Sequence, residues 1–198
     1  MTSDSLLAQL ERSRALGFLG PGPVEAHIAH AAAFLTALDG VEGTVVDLGS
    51  GGGVPGLVVA VARPDLHLVL VDARGKRCRF LEEAVAALAL AAEVVEGRAE
   101  VIGRSDRRGA ANAVLARSFG PPATTAECAA PLLRVGGRLI VSEPPEAPDR
   151  WPAAALGALG LRPDDLTGDH SVRTLVQVHP CPERYPRRDG MPAKRPLF

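Results

Sequence analysis

A β-branched run that stops at an acid and breaks into glycines, Val45-Val46-Asp47-Leu48-Gly49-Ser50-Gly51-Gly52-Gly53-Val54-Pro55-Gly56, constrains this chain more than any other stretch. Glycines after a strand let backbone approach a ligand where a side chain would clash, and the helix that follows offers unpaired N–H groups. That is the loop by which a doubly wound α/β sheet holds a nucleotide-containing cofactor. A second strand, from His67, ends on Asp72, where such a sheet presents an acid to ribose hydroxyls.

The chemistry of the loop narrows the ligand. Gly49-x-Gly51-x-Gly53 followed by Val54-Pro55-Gly56 departs from the dinucleotide pattern G-x-G-x-x-G. Asp47 would repel a pyrophosphate, whereas it could bind a cation directly or through water. S-adenosylmethionine carries a sulfonium and an ammonium and no phosphate, and the stretch resembles motif I of class I methyltransferases.

Composition sets the bounds. At 198 residues and 46% hydrophobic content the chain can bury one sizeable core, so residues 1–198 are expected to form a single domain. A net charge of −1 gives no global attraction to nucleic acid, and RNA binding would have to come from local basic patches. Cys78, Cys128 and Cys181 are far apart with no C-x-x-C pair, and neither a zinc site nor a disulfide framework is expected. His27 and His30 lie three apart on a predicted helix without a third ligand, which favours core or surface histidines over a metal site. Nothing at the start reads as a leader and no run suffices to span a bilayer, so the expectation is a cytoplasmic protein with no membrane partner and no metal. It is expected to be a monomer.

The pattern predicts helices over 4–17 and 24–38, parted by Gly20-Pro21-Gly22-Pro23, as an N-terminal extension over 1–40. A core over 41–180 then alternates: strand 44–48, helix 55–62, strand 67–72, helix 75–91, strand 93–96, a helical piece near 98–103, strand 112–116, helix 122–133 and strand 137–142. Gly136-Gly137 reads as a turn before that fifth strand, and Gly103 to Gly109 as a solvated loop. An Ala-rich helix near 152–160 and a last, antiparallel strand over 172–178 complete the chain before a basic tail, 181–198. The fold class is α/β, a Rossmann-like, mostly parallel seven-stranded sheet with helices on both faces.

A narrower resemblance rests on Asp47 through Gly56, then Arg63-Pro64, then Leu70-Val71-Asp72-Ala73-Arg74-Gly75-Lys76-Arg77-Cys78-Arg79-Phe80-Leu81. Gly97-Arg98-Ala99-Glu100, Ala116-Arg117-Ser118-Phe119 and the closing Arg184-Tyr185-Pro186-Arg187-Arg188 follow in order. Together they resemble the RsmG (GidB) family, which uses S-adenosylmethionine to methylate N7 of a guanine in 16S ribosomal RNA. The resemblance implies that Gly49 and Val54, with Gly51, line the methionine end of the cofactor and that Asp72, Ala73 and Arg74 line its ribose side. It further implies Ala99 and Glu100 at the adenine and Arg117 at the active-site mouth, as the candidate catalytic residue. The partner implied is 16S rRNA or an assembling small subunit. Arg184, Arg187, Arg188, Lys194 and Arg195 form the clearest local basic cluster, and Arg187, Arg188, Lys194 and Arg195 are the expected RNA-backbone contacts.

Two departures bear on the acceptor. The family's Asn-Leu-Thr-Ser segment has no counterpart, and its Arg-His-Ile-Leu-Asp-Ser helix survives only as Ala26-His27-Ile28-Ala29-His30-Ala31. The fifth strand ends in Ser142-Glu143-Pro144-Pro145 where the family has a lysine-glycine pair. A diverged methyltransferase acting on another RNA or a small molecule, or a module that binds cofactor or RNA without turnover, are therefore the alternatives.

Overall fold

The computed structural model describes residues 3–144, 149–164 and 171–198. Seven strands form one sheet: β1 (Thr44–Leu48), β2 (His67–Asp72), β3 (Ala92–Glu96), β4 (Ala111–Ala116), β5 (Leu133–Ser142), β6 (Leu161–Pro163) and β7 (Val172–Gln177). Their order is β3-β2-β1-β4-β5-β7-β6, with β1 to β5 parallel and β7 antiparallel to both β5 and β6. This is the Rossmann-like arrangement expected from the alternation of strand and helix. The order reverses at β1 and β4, and in such sheets the crevice for a ligand opens beyond the strand ends at that reversal.

The central strands are apolar on both faces, as a parallel sheet covered by helices requires. Val46, Leu48, Val69, Val71 and Val114 point into one core with α5 (Ala99–Ile102), α6 (Pro122–Ala129) and α7 (Ala153–Gly157). Val45, Leu68, Leu115 and Ile140 point the other way, toward α2 (Val24–Ala37) and α3 (Gly56–Ala62). On that same side Leu6 and Leu10 of α1 (Ser3–Ala15) pack with Leu57, Phe80 and Leu81, the last two from α4 (Gly75–Ala87).

α4 stops at Ala87 rather than 91, because Ala89 turns to φ +48° and the Leu90 amide bonds back to the Val85 carbonyl. The helix expected over 122–133 tightens after Ala129 into a 3-10 turn, Ala130–Leu132, around Pro131. Gly136-Gly137 lies inside β5, not before it: Leu133 pairs with Ala111 and Arg138 with Ala113, so the glycines sit in a bulge of one long strand. The three-residue β6 carries no sequence signal, being too short for a period and ending on a proline.

The polar run 103–109 is a clamp, not the solvated loop its charges suggested. The Arg108 guanidinium donates to the carbonyls of Gly103, Cys181, Pro182 and Tyr185, and Arg104 donates to those of Pro186 and Arg187. The C-terminal segment, which includes α8 (Met191–Lys194), is thereby fastened to the body of the protein.

Candidate active site

β1 and β2 end side by side, and their loops are locked together by backbone. The amides of Gly49 and Ser50 both donate to the Val71 carbonyl, at 2.8 and 2.9 Å. Asp72 completes the lock: one carboxylate oxygen accepts the Gly51 amide at 2.9 Å and the other the Arg74 amide at 2.9 Å, with Arg77 at 3.5 Å. Each oxygen keeps a lone pair, so the same group can still accept from a ribose. Gly49 holds φ +76°, and a Cβ there would stand 2.7 Å from the Phe119 ring.

Asp47 works from behind this loop. It is 1% exposed, accepts the Gly56 amide at 3.0 Å and does not line the cleft. Burial pushes its carboxyl up to about 7, against the opposing pull of Ser50, the Gly56 amide and Arg117. Gly56 is small because Asp47 is there: a Cβ would fall on the Asp47 carboxylate and on Leu70. Gly56→Ala is expected to cost about 1–3 kcal/mol of stability through that overlap, read as a lower midpoint in urea; an unchanged midpoint would show that α3 can shift freely.

Two cavities open beyond the strand ends. The first, of 190 Å³, is bounded by Phe18, Leu19 and Gly20 from the linker between α1 and α2, by Gly49 to Gly52 and Val54, and by Arg77. The second, of 380 Å³, is walled by His30, Phe119, Thr125, Glu143 and Trp151, among others. Arg117 and Ser118, just past β4, border both. Burial lowers the Arg117 pKa while the Asp47 charge opposes that shift.

Arg117 is held by a residue whose role the sequence did not reveal. Its guanidinium lies 2.5 Å from Nδ1 of His27, whose Nε2 faces the Gly20 carbonyl at 3.2 Å. The tautomer with its proton on Nε2 satisfies both contacts. The only available signal was the remnant segment Ala26 to Ala31, which points to the acceptor side without saying what His27 touches.

Gly49, Gly51, Val54 and Arg117 thus meet at the first cavity, with Asp72 one hydrogen bond behind it. Ala73 and Arg74 are exposed at the end of β2 and do not line it. Ala99 is buried, and the Glu100 carboxylate turns away to accept the Gly190 amide at 2.8 Å and Arg98 at 3.1 Å. Any contact of that pair with a ligand therefore falls to backbone. In the tail, Arg188, Lys194 and Arg195 are exposed, whereas the Arg187 guanidinium is engaged with the carboxylate of Glu127 at 2.6 and 2.8 Å. Arg187 is in this respect a structural residue, contrary to the expectation that it faces RNA: its fork is already occupied by a buried anion.

Residues 23–147 match the GidB family, described as rRNA small subunit methyltransferase G. The chain belongs to this family. The ribosomal RNA small subunit methyltransferase G of Moorella thermoacetica is 39% identical over 77% of this chain and 69% of its own. That of Roseiflexus castenholzii is 40% identical over 78% and 70% respectively. Among solved structures, a methyltransferase from Geobacter sulfurreducens superposes with a TM-score of 0.62 at 11% identity, covering 90% of this chain and 92% of its own, a likeness of fold.

The methyl donor of this family and fold is S-adenosylmethionine, and the first cavity suits it. Its floor is glycine backbone, and a Cβ on Gly51 would meet nothing nearer than the Gly49 carbonyl at 3.6 Å, so it would fill cleft space instead. Behind that floor stand the acids Asp47 and Asp72 and on its walls the guanidinium groups of Arg77 and Arg117, so the cleft offers charge of both signs to a ligand that carries both.

Proposed function

We propose that this member of the family transfers a methyl group to N7 of a guanine in 16S rRNA, within the small subunit or an assembly intermediate, in the cytoplasm. The observation that carries this reading is the junction itself: a glycine-floored cleft and a larger, partly aromatic cavity that meet at Arg117 and Ser118. Among the described residues no helix is long and apolar enough to cross a membrane, and no three His, Cys, Asp or Glu side chains are grouped to hold a metal.

When bound, S-adenosylmethionine supplies an electrophilic sulfonium methyl group. Guanine N7 carries a lone pair and no proton, so the chain needs no general base. Its work is to align the two partners and keep bulk water out, which supplies most of the acceleration in such a transfer. The loop over Gly49 to Val54 would seat the methionine end and Asp72 the ribose hydroxyls, while Arg77 lines the same cleft. Arg117, held by His27, would fix the acceptor through its O6 or a neighbouring phosphate. The exposed Arg184, Arg188, Lys194 and Arg195 would hold the RNA backbone.

Incubation of the protein with labelled S-adenosylmethionine and unmethylated small subunits is expected to place label on guanine N7. Label on other RNA would favour the diverged enzyme, and no label despite cofactor binding the non-catalytic module. Arg117→Ala is expected to lower kcat by about 10- to 100-fold with cofactor affinity retained, because the guanidinium positions the acceptor. Equal losses in both would make Arg117 a cofactor or folding residue.

A further inference from the structure

The larger cavity contains a charged group that the transfer itself does not use. Glu143, immediately after β5, is on its wall with its side chain only 12% exposed. One carboxylate oxygen accepts the Trp151 indole N–H at 2.9 Å and the other the Arg150 guanidinium at 2.7 Å. Two oxygens offer about four acceptor positions, so each retains one after these bonds. The braces also fix the plane of the carboxylate and fill one acceptor position on each oxygen.

We propose that Glu143 selects guanine by accepting hydrogen bonds from the N1–H and N2–H of its Watson–Crick edge. The inference rests on the acceptor assigned under the proposed function. A purine in this cavity has two polar edges on opposite sides. N7 must face the cofactor cleft, which the cavity meets at Arg117 and Ser118. With N7 and O6 at that junction, N1 and N2 are turned away from the cofactor cleft into the cavity, on whose wall Glu143 stands. Guanine presents two adjacent donors there and a carboxylate two adjacent acceptors. Adenine presents an acceptor at N1 and nothing at C2, and would leave the carboxylate facing a lone pair. The partly buried ring of Phe119 gives the base an apolar face to lie against.

The test compares guanosine with inosine, which lacks only the N2 amino group. The nucleotide methylated by the wild-type enzyme is mapped first, and small subunits are then reconstituted with 16S rRNA carrying guanosine or inosine at that position. Wild-type kcat/KM is expected to be about tenfold lower on inosine, the effect of one lost bond to a charged acceptor. Glu143→Gln keeps an acceptor for Trp151 but turns a donor toward the base. It is expected to lower kcat/KM on guanosine about tenfold and to bring the two substrates within about twofold, with unchanged affinity for S-adenosylmethionine. Glu143→Asp, which withdraws the charge without removing it, is expected to show the same collapse of the ratio and serves if the glutamine variant does not fold. A merely structural Glu143 would lower both rates and leave their ratio intact. A preserved ratio in a folded variant, or a wild-type enzyme indifferent to the N2 amino group, overturns the role of Glu143 alone. A wild-type enzyme that methylates no guanine at N7 overturns the acceptor assignment and this inference together.

Discussion

Arg187→Ala is expected to destabilise the protein by about 3–5 kcal/mol, whereas Arg188→Ala next to it should change stability by no more than about 0.5 kcal/mol. The two side chains are alike in sequence and opposite in environment. Glu127, on α6, is 0% exposed, and its carboxylate receives the Arg187 backbone amide at 2.9 Å together with the guanidinium. Removing the guanidinium leaves a buried anion with a single amide, the situation in which breaking an ion pair costs far more than the pair contributes. Arg188 is exposed, and truncating it disturbs nothing packed. Arg187→Lys should recover only part of the loss, since an ammonium cannot reproduce two parallel bonds to one carboxylate. Urea unfolding of the three variants at neutral pH provides the measurement, and equal midpoints for Arg187→Ala and Arg188→Ala would refute the anchoring role.

Asp47→Asn is expected to stabilise the ligand-free protein at pH 8, by up to about 4 kcal/mol if the full displacement of its carboxyl is felt. With a folded value of about 7 against the usual 3.8, the group is protonated in both states at acid pH and carries no penalty there. Between about pH 4 and 7 the unfolded chain gives up the proton and the folded one keeps it, so the stability contributed by this group is lost as pH rises across that window. Above it the fold must hold a buried anion, and the penalty is constant. Asparagine can still accept the Gly56 amide, and the slope of stability against pH should flatten in that range. Calorimetric unfolding at pH 5 and pH 8 decides the matter: a variant less stable than wild type at both would mean that the carboxylate is needed for the loop to form. A cationic cofactor in the adjoining cleft favours the ionised form, so wild-type affinity should rise over the same interval with release of a proton.

The parts of this molecule legible in its sequence are those governed by local rules. β1 and β2 are continuous apolar runs closed by an acid, and both begin and end where the residues said they would. Gly49 and Gly51 could be read as loop-formers because tolerance of a positive φ is a property of the residue itself. What could not be read is what long side chains reach. Arg108 and Arg187 look like solvated charge, yet one gathers carbonyls from Cys181 to Tyr185 and the other neutralises a glutamate 60 positions away. His27 meets Arg117 across a sequence separation of 90. No periodicity encodes such pairings, because they depend on where the sheet brings distant strand ends and on which side of it a helix lies. Asp47 and Glu100 show the same limit in reverse: their positions at strand and helix ends were plain, but the direction of each carboxylate was fixed by the amide it found, Gly56 in one case and Gly190 in the other.

The meeting of the two cavities at Arg117 and Ser118 has a kinetic consequence. Under the proposed function donor and acceptor would occupy neighbouring compartments that share Arg117 and Ser118 and are otherwise lined by different residues. Such a layout is expected to impose no order of loading: a spent cofactor would be exchanged while the RNA stays docked, and product-inhibition kinetics would check it. With the far heavier RNA partner proposed above, turnover would then be set by whichever ligand is slower to leave, with neither waiting on the other.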